Sequence, residues 1–156
     1  MPSSADLLDA NVWLALAAEA HTHHRRAEAY WKSEAAPIAA FCRLTQLAFL
    51  RHLTNRTIMG DQALTPSSAW TKRGEFLALP EVRFLAEPPG LDEQLGELCH
   101  LGRTSPNLWT DAYLASFAKC AGLRLVTFDH FFTRFTGLEL LILKPEEDGG
   151  WGALKR

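Results

Sequence analysis

The order of apolar runs along the chain constrains the fold more than any other feature of this sequence. Short apolar runs alternate with longer segments in which apolar residues recur at helical spacing. We predict strands at residues 5–8, 37–41, 82–85, 123–128 and 138–143. Strands that alternate with helices indicate a parallel sheet with helices on both faces, because parallel neighbours need a crossover between them. The predicted fold class is therefore α/β, with three α/β/α layers around a central, mostly parallel sheet.

The segments between the predicted strands carry helix signals. Thr65 suits the N-cap of one helix, with Pro66 in its first turn, and this helix is expected to end near Pro80. Gly122 suits the C-cap of another. The remaining predicted helices lie at residues 12–19, 24–32, 45–53, 91–101 and 107–121.

Turn-forming residues cluster in a few places, and none of these clusters is long enough for a domain linker. They lie at residues 55–66, 87–90, 102–106 and 146–152. The sequence shows no internal repeat. We therefore predict a single domain over residues 1–145, followed by a C-terminal tail over residues 146–156.

The composition excludes several classes of protein. The chain has 156 residues, 47% of them hydrophobic and 22% charged, and its formal net charge is −2. These values are typical of a globular domain and give no broad positive surface for coating nucleic acid. The cysteines, Cys42, Cys99 and Cys120, have no CxxC or zinc-ribbon spacing. Since the N-terminus lacks a signal-peptide pattern and no apolar run approaches the ~20 residues of a membrane span, we expect a cytoplasmic protein that does not enter a membrane.

Two aspartates follow predicted strands, and a third begins a predicted helix. Asp9 comes after the first strand, Asp129 comes after the fourth, and Asp111 lies in the first turns of the most apolar helix. Ligands of open parallel sheets bind in the crevice beyond the carboxyl ends of the strands, which is where Asp9 and Asp129 are expected. Each aspartate alone has a plainer interpretation, Asp9 as a helix cap and Asp111 as a favourable charge at a helix N-terminus.

Taken together, the three carboxylates indicate a cation site. Carboxylates that converge on one edge of a sheet repel each other unless a cation lies between them. A site built only from oxygen ligands selects a hard cation, Mg²⁺ or Mn²⁺. Such a cation neutralises charge on a phosphodiester during its hydrolysis. The pattern therefore points to hydrolytic phosphoryl-transfer chemistry.

Four segments of the sequence share a pattern with a known family. They are residues 7–16 (LLDANVWLAL), 41–55 (FCRLTQLAFLRHLTN), 108–118 (LWTDAYLASFA) and 123–132 (LRLVTFDHFF). Together they resemble the PIN-domain ribonucleases, in particular the VapC toxins of bacterial toxin–antitoxin pairs, over residues 6–143. The resemblance implies a PIN-like fold and a Mg²⁺-dependent endoribonuclease toxin of a VapBC-type system, with Mn²⁺ able to substitute. Its implied substrate is structured RNA such as tRNA or rRNA.

The resemblance also assigns roles to individual residues. It implies that Asp9, Asp111 and Asp129 are catalytic and bind the metal. It implies that Asn11 and Thr127 orient these carboxylates through hydrogen bonds.

Gln46 departs from the family pattern, because many members have a glutamate at this position. An amide oxygen can ligate Mg²⁺ or hold a bound water, but it adds no negative charge. We therefore expect Gln46 beside the site without a catalytic role, in a site with three formal charges. This departure supports an alternative, a catalytically weakened PIN fold that only binds RNA or a partner protein.

The resemblance implies partners as well as a substrate. A small cognate antitoxin of the VapB type is expected to fill the acidic groove with its tail, and a second copy of the chain is expected in a homodimer. Arg51 and His52 follow Gln46 on the same predicted helix and are candidates for binding RNA phosphates. Ordinary solvated side chains are an equally good interpretation of both.

A second class of function has one feature in its favour. Lys144 and Pro145 follow the last predicted strand, as in phosphoacceptor receiver domains, whose α/β architecture is similar. A receiver also needs paired acids after its first strand and a phosphorylatable aspartate after a central strand. Asp9 has no adjacent acid, and neither Asp61 nor Asp92 follows a buried strand, which disfavours this alternative.

Overall fold

The structure, a computed structural model, describes residues 3–98, 100 and 104–145 and contains a five-stranded parallel sheet. The strands are β1 (Ala5–Leu8), β2 (Ile38–Phe41), β3 (Val82–Phe84), β4 (Arg124–Thr127) and β5 (Leu140–Ile142). Their order across the sheet is β3-β2-β1-β4-β5, and every neighbouring pair is parallel. The predicted α/β class and parallel sheet are confirmed.

Helices cover both faces of this sheet. They are α1 (Ala10–Ala17), α2 (His24–Ser33), α3 (Arg43–Leu53), α4 (Arg56–Met59), α5 (Pro66–Leu77), α6 (Leu91–Leu98) and α7 (Leu108–Ala121). Leu7 and Leu125 pack with α6 and α7, whereas the next residues along each strand, Leu8 and Val126, pack with α1, α2, α3 and α5. This alternation follows from the two-residue period of a strand, and it produces the predicted three layers. None of the described helices is long and apolar enough to cross a membrane.

An aromatic cluster fixes α1 and α3 against β2. The Trp13 ring stacks on the Phe41 ring with centroids 3.8 Å apart, and Phe49 and Phe76 contact the same cluster. Trp13, Phe41 and Phe49 are fully buried, and burying a large apolar side chain contributes about 1.5–3 kcal/mol. The starts of α1 and α3, which follow β1 and β2 directly, are therefore held in place.

The predicted elements are present, with shifts at their ends. α1 begins at Ala10 and not at residue 12, because Asp9 caps it by accepting a hydrogen bond from the Ala10 N–H at 2.8 Å. Thr65 caps α5 as predicted, with its hydroxyl oxygen accepting from the Ser68 N–H at 3.1 Å. Gly122 ends α7 as predicted, in the left-handed conformation at φ 67°.

Two short regions differ from the prediction. The turn cluster at residues 55–66 contains α4 and a 3₁₀ helix (Gly60–Gln62), and a second 3₁₀ helix (His130–Arg134) follows β4. Residues 99 and 101 of the helix predicted at residues 91–101 lie outside the described part of the chain, as do residues 102 and 103 of the turn cluster and the predicted tail. The single domain over residues 1–145 stays a prediction.

The order of the strands creates a crevice at the carboxyl edge of the sheet. From β1 the chain continues outward to β2 and β3, and it then crosses to β4 on the other side of β1. Connections that leave two adjacent strands in opposite directions open a crevice between their carboxyl ends. Asp9 follows β1 and Asp129 follows β4, so both lie at this crevice.

A buried ion pair fixes the opposite edge. The fully buried Asp6 carboxylate accepts hydrogen bonds from Arg124 Nε at 2.7 Å and Arg124 Nη2 at 2.9 Å. It also accepts one from the Tyr30 hydroxyl at 2.5 Å and one from the Ala36 N–H at 2.9 Å. These bonds join β1, β4 and the end of α2, and they compensate the cost of burying the charge.

Candidate active site

Thr127 connects the two aspartates that follow strands. Its hydroxyl donates a hydrogen bond to Asp9 Oδ2 at 2.8 Å and accepts one from the Asp129 N–H at 3.0 Å. Asp129 Oδ1 in turn accepts from the Phe131 N–H at 2.9 Å, so each aspartate also caps the helix that follows it. Since Thr127 is fully buried at the end of β4, one hydroxyl fixes both residues relative to the sheet.

Asp111 reaches the same edge from the first turn of α7. Its Oδ2 accepts a hydrogen bond from Arg134 Nη2 at 3.2 Å. Arg134 ends the 3₁₀ helix that Asp129 caps. The ion pair therefore joins the helix of the third aspartate to the segment that carries the second.

Neighbouring carboxylates contribute to raised pKa values at Asp9 and Asp111. Burial raises the pKa of Asp9, and the charge of Asp129 adds to this rise, whereas hydrogen bonds from Thr127 and the Ala10 N–H oppose it. Burial also raises the pKa of Asp111 to about 6; Asp129 and Asp9 add to the rise, and Arg134 opposes it. Lost hydration and like charges both disfavour an ionised carboxylate. Thr127 thus joins Asp9 to Asp129, and Asp111 lies near enough for the charges of both to affect its pKa.

Gln46 is fully buried near the start of α3, and Arg43 sets the orientation of its amide. Arg43 Nη1 donates a hydrogen bond to Gln46 Oε1, and Gln46 Nε2 is buried without a hydrogen-bond partner in the described structure. A guanidinium has only donors, so the amide oxygen must face it. The amide oxygen, the atom of Gln46 that can ligate a metal or hold a bound water, is therefore engaged by Arg43.

The donor chemistry of the site fits a hard divalent cation. Asn11 Oδ1 is buried without a hydrogen-bond partner, and Asn11 is close in sequence to Asp9. Together with the carboxylates of Asp9, Asp111 and Asp129, it provides the oxygen-only set that Mg²⁺ and Mn²⁺ prefer. Within residues 3–98, 100 and 104–145, however, no three His, Cys, Asp or Glu side chains are arranged closely enough to hold a metal ion. Arg134 instead neutralises part of the charge of Asp111.

The candidate RNA contacts lie further along α3. Arg51 and His52 belong to its last turn, roughly 8–9 Å along the helix axis from Gln46 at 1.5 Å per residue. Arg51 is exposed. Burial, with a smaller effect from the charge of Arg51, lowers the pKa of His52. Neither side chain forms a described hydrogen bond to the aspartates, and their role stays a prediction.

Sequence reasoning missed two arginines at this edge, Arg43 and Arg134. Arg134 stands in a run of aromatic residues after Asp129, and a charged residue within an apolar run that packs into a core needs a partner. Arg43 precedes Gln46 by three residues, a spacing that places two side chains side by side on a helix. Both signals were present in the sequence, but neither identifies the partner.

A family model decides what kind of protein this is: the model of the PIN domain matches residues 7–138. The chain belongs to the PIN domain family. Ribonuclease VapC41 from Mycobacterium tuberculosis is 42% identical over 142 residues, which cover 88% of this chain and 97% of VapC41. The resemblance seen in the sequence is therefore confirmed, and the receiver-domain alternative is wrong.

Solved structures show the same PIN fold at low sequence identity. VapC20 from Mycobacterium tuberculosis, a sarcin–ricin loop cleaving toxin, has a TM-score of 0.61 and is 19% identical, covering 82% of this chain and 92% of its own. A toxin–antitoxin complex from Klebsiella pneumoniae has a TM-score of 0.59 and is 16% identical, covering 91% of this chain and 98% of its own. At these identities the likeness establishes the fold alone.

Proposed function

We propose that this PIN-domain protein is a Mg²⁺-dependent endoribonuclease that acts as the toxin of a VapBC-type toxin–antitoxin pair. One observation carries the proposal: at the switch point of the sheet, Thr127 forms hydrogen bonds with both Asp9 and Asp129, and the charges of these two aspartates add to the rise in the pKa of Asp111 that burial causes. Charged groups held together at such a cost are typical of functional sites. The likeness to VapC41, which is named a ribonuclease, supports the activity.

The proposed roles follow from the contacts in the crevice. Asp9, Asp111 and Asp129 hold the cation, Mg²⁺ or in its place Mn²⁺, which supplies Lewis-acid chemistry for hydrolysis of a phosphodiester. The Thr127 hydroxyl orients Asp9 and favours its ionised form by donating to it. Asn11, two residues after Asp9, offers a buried amide oxygen that has no hydrogen-bond partner in the described structure.

The proposed substrate is structured RNA, either tRNA or rRNA, cleaved in an unpaired segment. VapC20 is described as cleaving the sarcin–ricin loop, which supports a structured target for a protein of this fold. Proteins recognise such RNA by its shape and its unpaired bases. With a net charge of −2, the chain depends on local side chains to position phosphates: the cation Arg51 and, as a neutral hydrogen-bond donor, His52. This function belongs in the cytoplasm, where the RNA is.

A cleavage assay on total RNA tests the proposal. The wild type is incubated with Mg²⁺ or Mn²⁺, with EDTA as the metal-free control, and is compared with Asp9→Asn and Asp111→Asn. Asp92→Asn is a matched control, because Asp92 is an exposed aspartate in the first turn of α6. We expect discrete fragments from the wild type and Asp92→Asn in metal only. Equal fragmentation by Asp9→Asn and Asp111→Asn would remove the assignment of the site.

One observation favours a second candidate, a PIN fold that binds RNA or a partner without cleaving it. Gln46 lacks the charge of a glutamate, and its amide oxygen is already engaged by Arg43. This candidate predicts that folded, antitoxin-free protein binds RNA but leaves it intact in every divalent cation. It also predicts that Gln46→Glu restores cleavage in Mn²⁺.

The proposed antitoxin partner is supported by the fold likeness to a toxin–antitoxin complex. Its tail is expected to carry a basic side chain, because a cation satisfies the same carboxylates as a metal ion. Expression of the chain alone should arrest growth, and co-expression of a small neighbouring gene product should relieve the arrest. Arrest that no neighbouring product relieves would contradict the pairing.

The proposed homodimer is tested separately by sedimentation. We expect analytical ultracentrifugation of the purified chain to give the mass of two copies. A monomer at the highest accessible concentration would exclude the dimer without affecting the assignment of the acidic site.

A further inference from the structure

Arg134 is the cation that the described structure places directly against the acidic site. Its Nη2 donates to Asp111 Oδ2 at 3.2 Å, and its position at the end of the 3₁₀ helix is fixed by the Asp129 cap at the other end. The guanidinium carbon lies 4.9 Å from the centroid of the Phe135 ring, which packs in the core below α7. The side chain is therefore anchored on two sides and is 21% exposed.

The ion pair with Asp111 uses only one of the hydrogen-bond donors of the Arg134 guanidinium in the described structure. An arginine has five N–H donors in a fixed planar fork, and the described structure assigns one hydrogen bond to Arg134. Its Nε is buried and has no hydrogen-bond partner. A buried donor without a partner costs free energy, so a purely structural ion pair would be expected to satisfy it.

The charge of the site also favours an anion as the missing partner. Asp9, Asp111 and Asp129 carry three formal charges, of which Arg134 neutralises one. A phosphodiester brought to these carboxylates is repelled by whatever negative charge the proposed metal ion leaves, and a basic side chain facing the phosphate offsets that repulsion. Arginine is the side chain best suited to this task, because its fork matches two oxygens of a phosphate and it stays charged when partly buried.

The other arginine at this edge is not available in the same way. Arg43 donates to Gln46 Oε1, and its guanidinium carbon lies 4.5 Å from the centroid of the Phe84 ring on β3. Arg43 therefore orients Gln46. Since Arg43 follows β2 and Arg134 follows β4, the two arginines lie on opposite sides of β1.

We propose that Arg134 is a substrate-binding residue of the active site, and that the Nη N–H groups not used by the bond to Asp111 bind the non-bridging oxygens of the RNA phosphate beside the carboxylates. This inference rests on the proposed nuclease function and names the protein group that contacts the phosphate. The bond to Asp111 then keeps the guanidinium next to the reacting centre. The alternative is that Arg134 only balances the charge of Asp111.

The test measures RNA binding apart from cleavage. A short, fluorescein-labelled single-stranded RNA of mixed sequence is titrated with protein in Ca²⁺, and its anisotropy is followed at several salt concentrations. Gel electrophoresis afterwards checks that the RNA is intact. The variants are Arg134→Gln and Arg134→Lys, with Arg25→Gln as the control because Arg25 is exposed on α2 and forms no described hydrogen bond or ion pair. Urea unfolding checks that each variant is folded.

We expect Arg134→Gln to weaken RNA binding about tenfold or more, since it removes hydrogen bonds between charged groups. The slope of log affinity against log salt should fall by about 0.7, the value expected when one phosphate of a single strand is no longer neutralised by the protein. Arg134→Lys should keep the slope, because it keeps the charge, but should bind more weakly because it lacks the fork. Arg25→Gln should match the wild type in both.

Titration of Mn²⁺ by calorimetry distinguishes the alternative. If Arg134 only balances Asp111, Arg134→Gln will bind Mn²⁺ more tightly and keep the RNA affinity and salt slope of the wild type. This result overturns the inference.

The cleavage assay distinguishes failure of the proposed role of Arg134 from failure of the proposed nuclease function. Cleavage by the wild type with unchanged binding by Arg134→Gln refutes the role of Arg134 alone. Arg134-dependent binding without cleavage by any variant refutes the nuclease and keeps the phosphate-binding role.

Discussion

Replacing Asp111 by asparagine should stabilise the metal-free protein at neutral pH. Removing the charge of an aspartate at a helix N-terminus normally destabilises a protein. In the folded protein, burial and the charges of Asp129 and Asp9 raise the pKa of Asp111 from 3.8 to about 6, against the effect of Arg134. Each pKa unit corresponds to about 1.4 kcal/mol, so ionised Asp111 costs up to about 3 kcal/mol at pH 7. Because its side chain is 14% exposed and asparagine still accepts from Arg134, we expect a gain of about 1–2 kcal/mol.

The dependence on pH follows from the sign of the pKa shift. A carboxyl whose pKa is raised by folding binds its proton more tightly in the folded than in the unfolded state. Its unfavourable contribution is therefore absent below about pH 4, grows as pH rises to about 6, and is complete above that. The advantage of Asp111→Asn over the wild type should grow through the same window.

Urea unfolding in EDTA at pH 4.5 and pH 7.5 measures this effect. Asp92→Asn is the matched control, because Asp92 lies exposed in the first turn of α6, where its charge favours the helix by about 0.3–1 kcal/mol. Mg²⁺ should stabilise the wild type more than Asp111→Asn, since a ligand of the folded state adds to its stability. If Asp111→Asn loses stability to the same extent as Asp92→Asn at both pH values, Asp111 is an ordinary helix N-terminal charge and the reasoning is refuted.

Three further substitutions test other parts of the molecule. Thr127→Val should cost about 2–3 kcal/mol of unfolding free energy in urea, because Asp9 and the Asp129 N–H lose a buried partner, whereas Thr127→Ser should retain most of it. Gln46→Glu should bind Mn²⁺ several-fold more tightly by calorimetry, and an unchanged affinity would place residue 46 away from the metal. Asp6→Ala should cost about 3–5 kcal/mol, because the half-buried Arg124 and the buried Tyr30 hydroxyl both lose the carboxylate they donate to. It should leave RNA cleavage per folded molecule unchanged, since Asp6 lies about 10 Å along the chain from Asp9; an absence of cleavage by folded protein would contradict this.

Much of the fold could be predicted because its signals are local. The alternation of buried strands with helices, the cap at Thr65 and the left-handed Gly122 each depend on a few neighbouring residues. The short helices within residues 55–66 were missed because turn-forming residues dominate that segment. The start of α1 was placed too late because Ala10 and Asn11 are not part of an apolar run.

The sequence by itself determined that aspartates follow β1 and β4, and the parallel order of the strands then brings them to one crevice. Only the tertiary structure decided which cations pair with the buried and half-buried aspartates. Arg134 forms an ion pair with Asp111, which is 23 residues away in the sequence, and Arg124 forms one with Asp6, which is 118 residues away. Such pairs depend on how α7, the 3₁₀ helix and the sheet pack together, and the charge of a side chain alone does not name its partner. The hydrogen bond from Arg43 to Gln46 joins residues that are close in sequence. The tertiary structure nevertheless buries Gln46, so that its Oε1 is held by Arg43 while its Nε2 has no described partner.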